Sequence, residues 1–166
     1  KATDMLISAK KPVIVVGQGV RYGGAAAELL QLAERLQIPV AASASGLGAL
    51  PVEHPLSLGL VQRGGTYQAN HACRQADVLL AIGVRFDDRT SSSWIPGYSF
   101  TIPPTRLIHV DIDPEEIGRN YPVALGLMAD VRTFLRQILA ELDQRGLDVL
   151  PAEARGKWLK QINDYR

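Results

Sequence analysis

Cysteine is all but missing from this chain: Cys73 is the single one in 166 residues. A lone thiol excludes a disulfide framework and a thiolate metal cluster, and such usage fits a reducing cytoplasm. Charge of one sign is missing as well. Eighteen basic and 17 acidic side chains leave a formal net charge of +1, which gives no electrostatic case for nucleic acid or a membrane surface. No apolar run approaches the roughly 20 residues that cross a bilayer, and no stretch has the make-up of a signal peptide. An initiator Met is absent too. The chain opens at Lys1 and reads as helix almost at once, which predicts a piece cut from something longer.

What is present is a core. Hydrophobic residues make up 46% of the chain, and a domain of this size buries roughly 68–70% of its unfolded surface. Thr3 to Lys10 reads as a short helix with Met5, Leu6 and Ala9 on one face. Pro12 ends it, and Val13-Ile14-Val15-Val16 follows as the continuous β-branched run of a strand covered on both faces. Gly17-Gln18-Gly19 then turns the chain into a helix from about Gly24 to Gln37, with Ala27, Leu30, Ala33, Glu34 and Leu36 marking its sides. Ile38 to Ala41 is a second strand. A glycine-rich stretch, Gly46 to Gly65, leads into a helix over Tyr67 to Ala76 and a buried strand, Val78 to Ile82.

Val84 to Pro104 is long and irregular. Arg106 to Ile112 forms the fourth strand, followed by a short helix from Pro114 to Gly118 with Asp113 as its N-cap. Val123 to Met128 is the fifth strand, and Val131 to Arg145 a helix that ends at Gly146. The last stretch, Ala152 to Arg166, places Trp158, Ile162 and Tyr165 on one helical face and reads as a connector that packs on something. Short apolar strands alternating with amphipathic helices predict an α/β fold: a doubly wound, mainly parallel sheet of about five to six strands with helices on both faces.

In such a sheet ligands bind at the carboxyl ends of the strands, near the point where strand order reverses. After the first strand, Gly17-Gln18-Gly19-Val20-Arg21-Tyr22-Gly23 resembles a dinucleotide fingerprint with one residue too many. It reads equally as a pyrophosphate loop or as a tight turn without ligand. An acidic residue at the end of the second strand would hold the ribose in NAD enzymes; Ala41-Ala42-Ser43 stands there, which disfavours NAD dehydrogenase chemistry. Acids come instead after the fourth strand. Asp111 is read as a ligand residue and Asp113 as a cap, while Asp130 is a natural N-cap for the helix that follows it.

After the third predicted strand stands Gly83-Val84-Arg85-Phe86-Asp87-Asp88-Arg89. Arginine presents a planar fork suited to phosphates, and the alternative is a loop that satisfies its own charges. Together with Ser45-Gly46-Leu47-Gly48 and Arg63-Gly64-Gly65-Thr66, several strand ends converge on one long, phosphate-containing ligand. His54, His71 and His109 have no spacing for a metal or a nucleophile relay, and each reads as structural. No Gly-x-Ser-x-Gly elbow and no Walker loop are present, so no catalytic set is expected in this chain.

Two long runs carry a family likeness: Leu79 through Arg89, and Ile108-His109-Val110-Asp111-Ile112-Asp113-Pro114 on to Asn120. With Lys11-Pro12-Val13, Ile38-Pro39-Val40, Gly46-Leu47-Gly48, His54-Pro55 and Gly65-Thr66-Tyr67-Gln68-Ala69-Asn70, they resemble the central domain of acetolactate synthases and their thiamine-diphosphate relatives. The likeness extends from about residue 3 to 140 and implies a Rossmann-like, DHS-like NAD/FAD-binding domain over residues 1–146, with 147–166 as a connector helix toward a C-terminal domain. It implies a cytoplasmic parent that decarboxylates a 2-oxo acid and joins the remainder to an acceptor. In that parent, N- and C-terminal domains bind thiamine diphosphate and Mg²⁺ across the interface of a homodimer or homotetramer.

This domain would then hold FAD or ADP and be inactive alone. Carried over by position, Gly17, Gln18, Gly19, Ser43 and Ala44 would lie near the pyrophosphate and flavin side. Arg63, Gly64, Gly65, Gly83, Val84, Arg85, Asp87 and Arg89 would follow the ribityl and flavin, and Asp111, Ile112, Asp130 and Val131 would meet the adenosine end. The sequence departs from the family pattern at Gln18, where a third glycine is common, at Arg63-Gly64, where Met-His is common, and in a longer Thr90–Thr105 segment. Another thiamine-diphosphate activity (decarboxylase, oxidase, lyase or hydrolase) and a stand-alone nucleotide-binding module are the alternatives.

Overall fold

In the computed structural model, which describes residues 1–165, the apolar runs assemble into one six-stranded sheet in which every strand pair is parallel. Along the chain come α1 (Ala2–Ser8), β1 (Pro12–Val16), α2 (Gln18–Tyr22), α3 (Ala26–Leu36), β2 (Val40–Ala42), β3 (Ser57–Leu60) and α4 (Tyr67–Gln75). They are followed by β4 (Val78–Ile82), β5 (Arg106–Asp111), β6 (Leu125–Met128), α5 (Val131–Gln144) and α6 (Ala152–Asn163). The strand order is β3-β2-β1-β4-β5-β6. Each half winds outward from the centre, so the order reverses between the neighbours β1 and β4.

Alternate residues of each central strand feed two separate cores. Ile14, Val16, Leu80, Ile82, Ile108 and Val110 face α1, α3 and α5, whereas Val13, Val15, Leu79, Ala81 and Leu107 face α4 and α6. Both faces are covered, which is why β1 and β4 are apolar at every position. A fully buried Val or Leu contributes about 1.5–3 kcal/mol, against about 0–1 kcal/mol for an exposed ion pair. The two cores therefore dominate the stability of the fold.

Helix ends agree with local chemistry. Thr66 caps α4 by accepting the Ala69 N–H at 3.2 Å, and Asp130 caps α5 by accepting the Thr133 N–H at 2.8 Å. The closing helix α6 lies back on the domain. The Trp158 indole donates to the Pro12 carbonyl at 3.1 Å, and buried Arg155 donates to the Leu6 carbonyl at the C-terminal end of α1 at 2.6 Å. Trp158 and Ile162 belong to the second core, and the Tyr165 ring meets His71 at 4.1 Å. Arg166, the expected end of this helix, lies outside the described residues.

The structure corrects several expectations. A strand, β3, stands inside the glycine-rich stretch; Gly59, at φ 79°, breaks its register against β2 and conceals it as a loop in the sequence. The turn after β1 is a short helix, α2. The segment from Pro114 to Gly118 is a run of turns rather than a helix: Asp113 does accept the Glu115 N–H at 2.9 Å, but Gly118 ends the run in the left-handed region at φ 75°. The buried side of α3 carries Glu28, Leu29, Leu32, Ala33 and Leu36, while Ala27 and Glu34 are exposed. Ala33 and Leu36 are buried and Glu34 exposed as expected; Ala27 is exposed instead, and Glu28 joins the buried side, facing α5.

Glu28 is 8% exposed and accepts from Arg132 and Arg136, each at 2.8 Å. The Arg132 hydrogen bond outweighs desolvation and holds the carboxyl at about 2, against an ordinary value of 4.5. A group held below its unfolded value adds stability above that value and loses it as pH falls through the folded one. Glu28→Gln is therefore expected to be less stable than the wild type at pH 7. The difference should shrink as pH falls from 4.5 toward 2; urea denaturation across that range would show it.

Candidate functional site

The site begins with a backbone contact. Glycine at 17, 19 and 83 lets the turn after β1 rest directly on the turn after β4. A Cβ at Gly17 would lie 2.0 Å from the Gly83 carbonyl oxygen, and one at Gly83 would lie 2.6 Å from the Gly19 Cα. Gly83 is also left-handed, at φ 58°. The Gly17 N–H donates to the Ile82 carbonyl at 3.1 Å and the Gly19 N–H to the Gly83 carbonyl at 3.2 Å. These two amides are committed to β4 and its turn, so the glycines serve backbone packing first. Ser43 joins the same knot, its N–H donating to the Val16 carbonyl at 2.9 Å.

Above this knot the strand ends open into adjoining clefts. One, of about 300 Å³, is lined by Gly17, Gln18, Ser43, Ala44, Gly83, Val84, Arg85, Asp87 and Arg89, with Ser45 and Thr90. The next, of about 450 Å³, shares Gln18, Gly83 and Arg85 with the first. It continues over Gly19, Asp111, Ile112, Asp130 and Val131, together with Tyr22, Gly23, Asp113 and Glu116. Arg63 and Gly64 line a third cleft of about 150 Å³ with Arg89 and Asp88. Of the residues assigned by position to the flavin, pyrophosphate and adenosine, Gly65 alone lines none of these clefts; Gly46, Leu47, Gly48 and Thr66 of the marked segments lie outside them too. A Cβ at Gly65 would sit 2.1 Å from the Leu60 carbonyl oxygen, so its bareness serves packing on β3.

Charge is arranged along the groove. Among the described residues no ion pair involves Arg85, Asp87, Asp88 or Arg89. The loop is therefore not neutralised by its own charges, and Arg85, exposed, stands where the two larger clefts meet. Asp111 is 7% exposed and accepts the Asp113 N–H at 3.0 Å. The Thr133 N–H holds Asp130 below the usual carboxylate range. Arg85 and Arg89 share the first cleft with Asp87, and Arg85 also borders the second with Asp111, Asp113, Glu116 and Asp130; guanidinium groups beside carboxylates suit an anion joined to a polyol or sugar.

The walls are held by buried groups. His109 on β5 donates from Nε2 to the Val84 carbonyl at 2.9 Å, and its Nδ1 accepts the Gly118 N–H at 3.4 Å. A ring whose Nδ1 accepts an N–H is the neutral form, which burial also favours by lowering its pKa; it ties the turn after β4 to the turn after β5. Phe86, 2% exposed and at φ 52°, packs edge-on against Phe100, His109 and Tyr121. Its carbonyl receives Ser91 Oγ, Trp94 Nε1 and Asn120 Nδ2, each at 3.1 Å. A left-handed non-glycine residue costs about 1–3 kcal/mol, and this packing offsets it. Ser92, Ser93 and Trp94 are left-handed as well. Arg63 donates to Ser93 Oγ at 2.9 Å and accepts from the Tyr98 hydroxyl at 3.2 Å, which joins the long segment to the Arg63–Gly64 turn.

Sequence reasoning missed Tyr22, Thr90 and Glu116 as lining residues, while Ser45 came from a segment it had marked. Only the unexpected helix α2, which carries Tyr22 to the cleft, could have pointed to one of them.

An all-parallel, doubly wound sheet with a charged groove across its switch point defines a Rossmann-like α/β domain. Comparison makes the assignment particular. The family described as thiamine pyrophosphate enzyme, central domain, matches residues 1–138, and the chain belongs to that family. It is similar to the probable acetolactate synthase large subunit of Methanocaldococcus jannaschii, at 39% identity over 166 residues. It is 37% identical to the acetolactate synthase isozyme 3 large subunit of Escherichia coli. It is 44% identical to the acetolactate synthase large subunit of Buchnera aphidicola subsp. Schlechtendalia chinensis. Each match covers 100% of this chain and 27% or 28% of the relative, so the chain spans little more than a quarter of the length of these relatives. No helix among the described residues is long and apolar enough to cross a membrane.

The glycine contact has a direct test. Gly83→Ala puts a methyl group into the Gly19 backbone at a left-handed position and is expected to cost about 2–4 kcal/mol. Gly97→Ala, also left-handed at φ 70° but in open space, should cost about 1 kcal/mol. Equal losses in chemical denaturation would refute the packing account.

Proposed function

We propose that this chain is the dinucleotide-holding central domain of an acetolactate synthase-type enzyme, a scaffold whose parent decarboxylates a 2-oxo acid and joins the remainder to an acceptor. The observation that carries this reading is the pair of adjoining clefts across the β1/β4 switch point, with unpaired Arg85 at their junction. FAD or ADP fits the donor set. Arg85 and Arg89 would meet the pyrophosphate and the flavin side, and the Asp111 carboxylate would accept from ribose hydroxyls. Asp130 and Val131 would close the adenosine end. Ser43 and Ala44 would border the flavin side from β2.

Bound there, the flavin would serve as a structural strut. Thiamine diphosphate and Mg²⁺ belong, in this reading, to N- and C-terminal domains of a cytoplasmic homodimeric or homotetrameric parent, which supply the carbanion chemistry. Residues 147–166 form the connector toward the C-terminal domain. What this chain's own residues do is bind and orient. The glycine knot fixes the distance between the two clefts, and the neutral His109 keeps their walls together.

Thermal unfolding with added FAD, ADP or NAD tests the reading. A ligand at about 100 times its Kd adds roughly 2.7 kcal/mol, worth about 5–10 °C for a chain of this size. FAD or ADP is expected to give that shift, and Arg85→Ala to weaken it by about tenfold in Kd. Absence of any shift would sink the nucleotide site. The chain mixed with thiamine diphosphate, Mg²⁺ and a 2-oxo acid is expected to release no CO₂; turnover above the buffer rate would overturn the scaffold assignment.

A further inference from the structure

Tyr22 closes α2 with its side chain 85% exposed, although its backbone surroundings are fixed. The Gly23 N–H donates to the Gly19 carbonyl at 2.9 Å, the Gly24 N–H to the Arg21 carbonyl at 3.1 Å and the Ala25 N–H to the Val20 carbonyl at 3.0 Å. A Cβ at Gly23 would approach the Gly19 carbonyl oxygen to 2.9 Å, so a larger residue does not fit there. The ring is presented from a hydrogen-bonded turn.

Other exposed aromatic groups are engaged within the chain. Tyr67 stacks on His71 at 5.4 Å, Trp94 donates to the Phe86 carbonyl and the Tyr98 hydroxyl donates to the Arg63 carbonyl. Among the described residues Tyr22 has no ring, cation or hydrogen-bond partner. It lines the 450 Å³ cleft, and so does Ile112, itself 72% exposed at the end of β5. Two large apolar side chains left in water beside one concave cleft, whose other charged groups are Arg85 and four carboxylates, are costly to solvate and gain when a flat apolar group covers them.

We infer that Tyr22 is the base-stacking wall of this cleft, holding the purine of an adenine nucleotide with Ile112 on the other side. The inference rests on the nucleotide reading of the site and adds to it a residue and a recognition mode. The carboxylates of Asp111 and Asp130 line the same cleft and suit the hydroxyls of the attached ribose, while Arg85 at its inner end suits the phosphates. A base held at the outer end and phosphates at the inner end give the ligand one direction along the groove.

Base stacking on an aromatic ring is worth a factor of roughly five to a hundred in affinity. Calorimetry on the 166-residue chain with ADP and with inorganic pyrophosphate separates the outcomes. The expected result is that Tyr22→Ser raises the Kd for ADP at least about fivefold, leaves pyrophosphate binding and thermal stability unchanged, and that Tyr22→Phe binds ADP like the wild type. Wild-type binding of ADP with an unchanged Kd in Tyr22→Ser would overturn the stacking role and leave the nucleotide site standing. An equal loss for ADP and pyrophosphate would overturn it too, as a general distortion. Failure of the wild type to bind ADP would remove both the site and the inference.

Discussion

Everything at the groove across the carboxyl ends of the strands depends on two turns touching backbone to backbone. Gly17 and Gly19 follow β1, Gly83 follows β4, and their contact leaves no space for a single Cβ. Because β1 and β4 are neighbours with opposite winding on either side, the connections beyond them diverge. The groove is the space left by that divergence. The glycine contact sets how closely its two sides approach, and the hydrogen bonds from Gly17 and Gly19 to Ile82 and Gly83 lock it. A glycine pattern that resembles a phosphate loop thus has a prior duty in packing, and the positive charge beside the clefts comes from Arg85 and Arg89.

Charges are handled in two different ways in the molecule. Between α3 and α5, Glu28 is buried and shared by Arg132 and Arg136, so its charge is consumed inside the fold. At the groove, Arg85 and Arg89 have no carboxylate partner among the described residues. The first charge is closed within the fold, whereas the arginines beside the clefts remain open to solvent. The aromatic box around Phe86 follows the same division. It holds a left-handed phenylalanine and three further left-handed residues in a defined shape, and so gives the long segment after β4 a rigid course beside the groove.

Much of the fold was legible from the chain alone. Val13 to Val16 and Val78 to Ile82 are apolar at every position, which only a strand covered on both faces requires, and both stand where expected. Asp130 is a cap by virtue of its own side chain and the helix beside it. The strand β3 was hidden because four residues with a central glycine carry no periodicity, and only pairing with β2 makes them a strand. The burial of Glu28 on α3 was not read, because it looks like a solvent residue until Arg132 and Arg136 approach from a distant helix. Most residues that line the clefts at the strand ends were readable by position; Tyr22 was not, since the sequence shows a glycine-rich turn where the fold makes a helix.

Sequence by itself therefore determined the elements, their order and the class of the sheet, together with the membership in the thiamine pyrophosphate enzyme family that its motifs announced. These depend on local propensity and burial pattern, which a short window of residues carries. Tertiary structure decided which charges stay unpaired, which glycines touch, how Phe86 is held left-handed and which aromatic ring reaches the cleft. Each of those is a relation between residues far apart in the chain, fixed only when two faces of one sheet are packed and their turns meet.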